Sequence, residues 1–438
     1  MKNVLRYSVL SLVGTFALLV SALQANAIDI KEVKSDNGVT ALMVEDYTLP
    51  IIAISFSFEG GSTQDKPGKE GTVRLMTALM DEGAGELDNV EFQSRLEELG
   101  IEFGFSSSRD SFSAGGRMLR EDLDAGLELI RLALLSPRFD ADPMERMRDR
   151  IRTGLIRSET SAGAQAGKAL RETLFANHPY ENSSSGTLES IDSVNRDDIV
   201  AMHKKLVARD TLKVGIVGAI SEEGVRKVLD TLFSDIPAKS GIASVPEIEP
   251  NLGQNVAIDM PVPNASISLV YKGIKRDDPD FFAAHLMNHV LGGGTFSSRL
   301  FKEVREKRGL AYGVSSGLVT LENTAYFSAG TSTRADNRDE AIQVIQTEIK
   351  KAAEEGITQA ELDKAKRYVA GAYAINNLDT SSKIANVLVS LQTQELGIDY
   401  IEKREEYIEA VTLDDVNRMA KKLLSVEPTV VIVGPATQ

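Results

Sequence analysis

The sequence predicts an α+β protein built from two homologous domains, each a mainly antiparallel sheet covered by helices. Three observations predict it: an internal duplication, apolar segments of helical period separated by short β-rich runs, and a proline-bearing connection near the middle. The duplication is clearest where Ile191-Asp192-Ser193-Val194-Asn195-Arg196-Asp197-Asp198-Ile199 reappears as Ile408-Glu409-Ala410-Val411-Thr412-Leu413-Asp414-Asp415-Val416, at an offset of 217. Each copy reads as a helix opened by a polar cap, Asn195 or Thr412, with an acid pair in its first turn, where the helix dipole favours negative charge. Each is followed by an apolar strand, Leu212 to Val217 or Thr429 to Val433, ending at Gly218 or Gly434.

Nearer the start of each half, Ile51 to Phe58 and Ile267 to Tyr271 are β-rich and lead through a turn to Arg74-Leu75-Met76-Thr77-Ala78 and His285-Leu286-Met287-Asn288-His289, at an offset of 211. Apolar residues at three- and four-residue steps predict helices over Phe92 to Leu99, Asp122 to Leu135, Pro143 to Ile156, Asp339 to Ala353 and Gln359 to Ala374. Phe103 to Ser107, Ser111 to Gly115, Gly313 to Leu318 and Ala325 to Gly330 read as the strands between them, with the helices on one face of each sheet. The linker falls at 237–254, with Pro237, Pro246 and Pro250. This divides the chain into a first domain at 28–236 and a second at 255–438.

Residues 1–27 are expected to be an export signal: Lys2 and Arg6, an apolar stretch from Val9 to Leu23, then Ala25-Asn26-Ala27 as a small-residue cleavage pattern. A mature chain of about 410 residues starting at Ile28 is expected outside the cytoplasm, in the periplasm. Because the signal carries two cations and no acid, its removal moves the formal charge from -15 to -17. Such a surface disfavours nucleic acid and anionic membranes as partners. The chain has no cysteine, so disulfides, thiolate metal sites and thiol nucleophiles are excluded. Its four histidines, at 178, 203, 285 and 289, leave little room for metal chemistry.

The turn Gly60-Gly61-Ser62, followed by Asp65, Pro67, Gly68 and Gly71, resembles the opening of the pitrilysin and insulinase family of zinc peptidases, whose helix carries H-x-x-E-H. His178-Pro179-Tyr180, Gly186-Thr187 and Ser190-Ile191 are similar to the tail of that family's first domain. The most specific match is Leu291-Gly292-Gly293-Gly294, then Ser297-Ser298-Arg299-Leu300-Phe301 and Val304-Arg305-Glu306-Lys307-Arg308-Gly309-Leu310-Ala311-Tyr312. The resemblance covers nearly all of the mature protein and implies half of a clam-shell chamber that admits unfolded peptides.

It also implies that the metal chemistry is gone. Zinc hydrolysis needs two imidazoles on one helical face, a third ligand, and a carboxylate to take a proton from the bound water. At the matching positions stand Arg74 and Ala78 for the imidazoles, Thr77 for the general base and Gly154 for the distal ligand. Asp81 and Glu82 nearby read as solvated acids at a helix end. In the second half His285 and His289 have the i, i+4 spacing of a metal pair, but Asn288 cannot act as a base, and packing is the expected role. Gly292 to Gly294 read as a turn at the rim of a cavity, since no lysine follows them at Walker spacing.

What the resemblance leaves in place is Arg305 and Tyr312, the pair that in the family reaches the bound peptide and stabilises the oxyanion. Arg299 and Arg308 are expected to be surface cations, and Phe103 to Ser107 with Ser111 to Ala114 are candidates for binding peptide backbone as an added strand. The expected function is that of a zinc-less peptidase subunit binding peptide for a zinc-bearing partner of the same family in a heterodimer, with zinc only in the partner. A scaffold subunit and a homodimeric peptide-binding protein are the alternatives.

Overall fold

The computed structural model describes residues 28–436. The expected export signal lies outside those residues. Among them no helix is long and apolar enough to cross a membrane.

The first half runs β1 (Ile30–Lys34), β2 (Thr40–Glu45), β3 (Ile51–Glu59), α1 (Thr72–Thr77), α2 (Asn89–Glu98), β4 (Glu102–Ser107), β5 (Ser111–Leu119), α3 (Leu123–Leu135), α4 (Ala141–Glu159), α5 (Ala162–Leu174), α6 (Leu188–Ser193), α7 (Arg196–Leu206), β6 (Lys213–Gly218) and α8 (Glu222–Phe233). The second runs β7 (Asn255–Asp259), β8 (Asn264–Lys272), α9 (Phe281–Asn288), β9 (Ala311–Leu321), β10 (Thr324–Arg334), α10 (Arg338–Glu354), α11 (Gln359–Asn377), α12 (Ser381–Thr393), α13 (Tyr400–Ala410), α14 (Leu413–Leu424) and β11 (Thr429–Gly434).

The sheet orders, β1-β2-β6-β3-β5-β4 and β7-β11-β8-β10-β9, correspond once β1 is set aside. Each is antiparallel except at one seam, where β2 runs parallel to β6 and β7 to β11. The repeated sequence blocks are the helices α7 and α14. Asn195 accepts the N–H of Asp198 and Thr412 that of Asp415, and each acid returns to the cap's own N–H, closing a capping box in both halves.

Strand alternation decides the cores. In β3, Ile52, Ile54, Phe56 and Phe58 enter one core with α1, α3, α7 and α8, while Ala53, Ser55 and Ser57 face the other way. The second core gathers Ile267, Leu269 and Tyr271 of β8 with α9, α10 and α14. The expectation of helices on one face only is corrected here. Each sheet carries a helix from the opposite half on its second face. From the second half, α12 lies on β3 and β6, placing Ala385, Leu388 and Leu391 over Leu42, Val44, Ala53 and Val217. From the first half, α5 lies on β8 and β11, placing Ala166 and Ala169 over Val431 and Val433.

The approach of α12 is close enough that a Cβ at Gly215 would stand 2.4 Å from the Ala385 carbonyl oxygen, so this strand position has no space for a side chain. Ser55 donates to Asn386 (2.7 Å) and Gln392 to the carbonyl of Val214 (2.7 Å), so the polar groups on this face also find partners. The segment 237–254 forms no helix or strand and is pinned along its length. The Ala243 N–H donates to Gln64, His178 bonds the carbonyl of Pro246, and the Ile248 N–H donates to the carbonyl of Asn323.

Because the apolar contacts run both ways, the halves are expected to unfold together. Leu388→Ala, at a fully buried position, is expected to cost about 2–5 kcal/mol. Calorimetry should show one transition moved to lower temperature, and two resolved transitions would contradict the coupling.

Candidate functional site

Helix α1 is short, and everything on it except Arg74 and the half-buried Ala78 that follows is sealed in the core. Gly71 enters it at φ 94°, and the Asp65 carboxylate accepts the N–H groups of Gly71 (2.8 Å) and Val73 (3.0 Å), so the helix start is fixed by its own loop. Burial pushes the Asp65 carboxyl up to about 7 in spite of those bonds.

Arg74, Thr77, Ala78 and Gly154 all line one cavity of about 1160 Å³, bounded by α1, β4, α4, α5 and the loop before α6. The Thr77 hydroxyl donates to the Arg74 carbonyl (3.0 Å) and lies 3.3 Å from the Ser107 hydroxyl on β4. A hydroxyl committed in this way ties the helix to the edge strand and has no base chemistry. At Gly154 a Cβ would meet nothing within 4 Å, so the position of the distal ligand is open space. A guanidinium, a methyl group and an empty position do not fit a divalent cation. Among the described residues no group of three or more His, Asp or Glu side chains is placed to hold a metal.

Asp81 and Glu82 differ from the expectation of solvated acids. Asp81 lines the cavity, and burial, aided by the charge of Glu82, raises its carboxyl to about 6. Glu82 is held by Arg146 (2.7 Å) and Asn89 (2.7 Å). The short length of α1 explains both: the chain turns back after Thr77, so Glu82 meets α2 and α4 while the Asp81 carboxylate lies by Gly104 of β4.

The second half repeats the geometry with different groups. Asn288 is buried and accepts from Ser316 on β9 (2.7 Å), the counterpart of the Thr77–Ser107 contact. His285 stacks on Phe281, and burial together with the charges of Arg404, His289 and Arg276 holds its imidazole down at about 4. His289 stacks on Tyr368 with ring centroids 4.9 Å apart. Gly292 and Gly293 are not a turn. They continue α9 through a π-helical turn closed by the Gly294 N–H to the His289 carbonyl (2.8 Å). Glycine is required there by proximity, since a Cβ at Gly292 would stand 2.5 Å from the Ser316 hydroxyl and one at Gly293 2.6 Å from the Asn288 amide.

Arg305 sits on a second π-helical turn, Phe301–Glu306, and Tyr312 is the second residue of β9, an edge strand. The guanidinium lies over the Tyr312 ring at 4.4 Å and the Phe301 ring at 4.9 Å, while Tyr312 is 85% exposed. Among the described residues no carboxylate engages either, and Arg305 is half-buried beside the exposed tyrosine ring. Arg299 is a structural residue instead. It grips Glu361 (2.6 and 2.7 Å) and the Gly356 carbonyl, and that contact holds the Glu361 carboxyl down at about 2. Arg308 is tied to Glu303 (2.7 Å). Sequence reasoning missed Arg150 and Arg171 in the first cavity, although Arg150 stands one helical turn before Gly154 on α4.

Residues 40–188 match the family described as Insulinase (Peptidase family M16), and residues 193–369 match the Peptidase M16 inactive domain. The chain belongs to peptidase family M16. Among curated M16 relatives, the non-peptidase homolog YmxG of Helicobacter pylori is 26% identical, with 95% of each chain covered. The uncharacterized zinc protease YmxG of Bacillus subtilis is 22% identical, over 93% of this chain and 98% of that one. Among solved structures, the peptidase M16 inactive domain from Pseudomonas fluorescens is similar with a TM-score of 0.89 at 28% identity, covering 94% of this chain and 99% of that one. The matches to the M16 inactive domain, by family model and by solved structure, make this chain a non-catalytic member of the M16 fold.

The raised Asp81 carboxyl has a defined consequence for stability. Its protonated form is favoured in the fold, so its penalty is absent below the unfolded value of 3.8 and is imposed as pH rises through about 6. Asp81→Asn is expected to gain stability relative to the parent at pH 7.5 and to lose that advantage towards pH 4. Thermal melts across that range check it, and a parallel displacement at every pH would refute it.

Proposed function

We propose that this chain is the metal-free subunit of a two-chain M16 peptidase, closing over unfolded peptides with a zinc-bearing partner of the same family outside the cytoplasm. Zinc and the general base belong to the partner. Arg305 and Tyr312 belong to this chain. Their part is to donate hydrogen bonds to the peptide carbonyl and to the oxyanion that forms when water attacks it. The single observation that carries the reading is the contrast between the two helical sites. The first carries none of the groups that zinc hydrolysis needs, yet Arg305 and the exposed Tyr312 stand stacked, with no carboxylate partner among the described residues. A stack of this kind holds the guanidinium in place without neutralising it, which suits a donor that must act on a charge appearing only in the transition state.

The name non-peptidase homolog carried by the H. pylori relative supports a chain without hydrolysis of its own. Periplasmic location rests on the export pattern of residues 1–27.

Mixing the mature chain with a candidate zinc-bearing M16 partner should give peptide hydrolysis that neither chain shows alone. Arg305→Ala is expected to lower kcat of the mixture by about 100-fold and Tyr312→Phe by about 10-fold. Both variants should melt like the parent, since neither side chain is in the core. Complex formation with unchanged turnover in both variants would favour the scaffold reading, and a stable homodimer that binds peptide without hydrolysis would favour the third.

A further inference from the structure

The first cavity has exchanged a cation site for a cluster of cations. Three of its helices each bring one guanidinium to it: Arg74 from α1, Arg150 from α4 and Arg171 from α5. Several other arginines in this acidic chain are met by carboxylates, as Arg117 is by Glu102 and Arg418 by Asp280. The guanidinium groups of Arg74 and Arg150 have no hydrogen bond, ion pair or ring contact among the described residues. Arg171 bonds only the Gly167 carbonyl, and its buried Nε has no partner. Burial and the nearby charge of Arg109 lower its pKa, against the opposing charge of Glu172.

The cavity also holds carboxylates, Asp81, Glu82, Glu159, Glu172, Glu181 and Glu189. Glu82 is taken by Arg146, Glu172 lies by Lys168 (3.9 Å), and Glu181 accepts the Asn177 N–H. Glu159 and Glu189 sit towards solvent, and Asp81 is the one desolvated acid left. None of the six pairs with Arg74, Arg150 or Arg171. The three guanidinium groups are therefore open to an incoming anion.

The shape of the cavity says which one. One wall is Phe105, Ser106 and Ser107 of β4, whose ladder pairs only with β5, leaving the outer backbone edge of the strand open. An extended chain adding to that edge has its backbone polar groups met by the strand, and it lies in the cavity that the three arginines line. The planar fork of a guanidinium matches a carboxylate with two parallel hydrogen bonds.

We infer that this cavity is a carboxylate site in which Arg74, Arg150 and Arg171 take the C-terminal carboxylate of an extended peptide laid along β4. The inference rests on the reading of the chain as a peptide-binding subunit, and it gives that subunit a second role, the sorting of peptides by a free C-terminal end. Where a zinc peptidase polarises a bond in mid-chain, this half holds a terminus.

Fluorescence anisotropy with the mature chain alone tests it, using one unstructured labelled peptide with a free C-terminus and the same peptide amidated. The free acid is expected to bind at least about 10-fold more tightly, the scale of a lost charge-assisted pair. Arg150→Gln and Arg74→Gln, both at exposed positions that should not disturb folding, are expected to shrink that ratio towards one. Equal binding of the two peptides, binding of neither, or a ratio untouched by both variants would overturn the inference. So would inorganic phosphate binding tightly to a chain that shows no preference between the peptides, since the site would then be a phosphate site. The carboxylate preference is read on the chain alone, whereas dependence on Arg305 is read in the mixture with the partner. Loss of one with retention of the other identifies which reading has failed.

Discussion

Leu388 and Leu391 of the second half cover Leu42, Val44 and Val217 of the first, and Ala166 and Ala169 of the first cover Val431 and Val433 of the second. This reciprocal covering is the constraint on which the arrangement of the sites depends. A sheet with apolar residues on both faces cannot leave one face in water, and here the second face is closed only by the other repeat. The exchange also fixes α5, and with it Arg171, against the opposite sheet. The first cavity is thus bounded by elements held by the whole molecule. The Gly215 position, with no space for a Cβ, shows how closely the surfaces meet.

Within that frame the two repeats solve one local problem twice. In each, a short helix must stay against an edge strand, and a polar residue at the same helical position bonds a serine on that strand, Thr77 to Ser107 and Asn288 to Ser316. Where a metalloenzyme would place a base, both halves have a fastening. The site is preserved as architecture, while the polar groups left for chemistry stand at the Arg305–Tyr312 stack, where cation and ring hold each other without a carboxylate.

Much of this was legible in the sequence because it depends on local patterns. The capping signals at Asn195 and Thr412 and the 217-residue offset expose the repeat, and alternation in Ile51 to Phe58 exposes a strand with one buried face. Arg74, Thr77 and Ala78 fall in one short stretch of sequence, and the fold sets them around one cavity with the distant Gly154. Three things were not legible. The exchange of helices depends on which sheet α5 and α12 meet, and an amphipathic stripe does not name its partner. The π-helical turns around Gly292 and Arg305 arise from contact with β9. The ionisation of Asp81 follows from α1 ending early, which buries a residue whose spacing reads as exposed.

The hydrogen bond from Ser55 to Asn386 spans 331 residues, and this separation bears on how the molecule comes into being. While the chain is being made, the first sheet can pair its strands long before α12 exists, so its apolar outer face waits uncovered through the synthesis of most of the second repeat. Such late closure slows folding and leaves a sticky intermediate with a long lifetime. A chain of this design therefore has reason to be kept unfolded until its last stretch has been made, and to complete both repeats in a single late step.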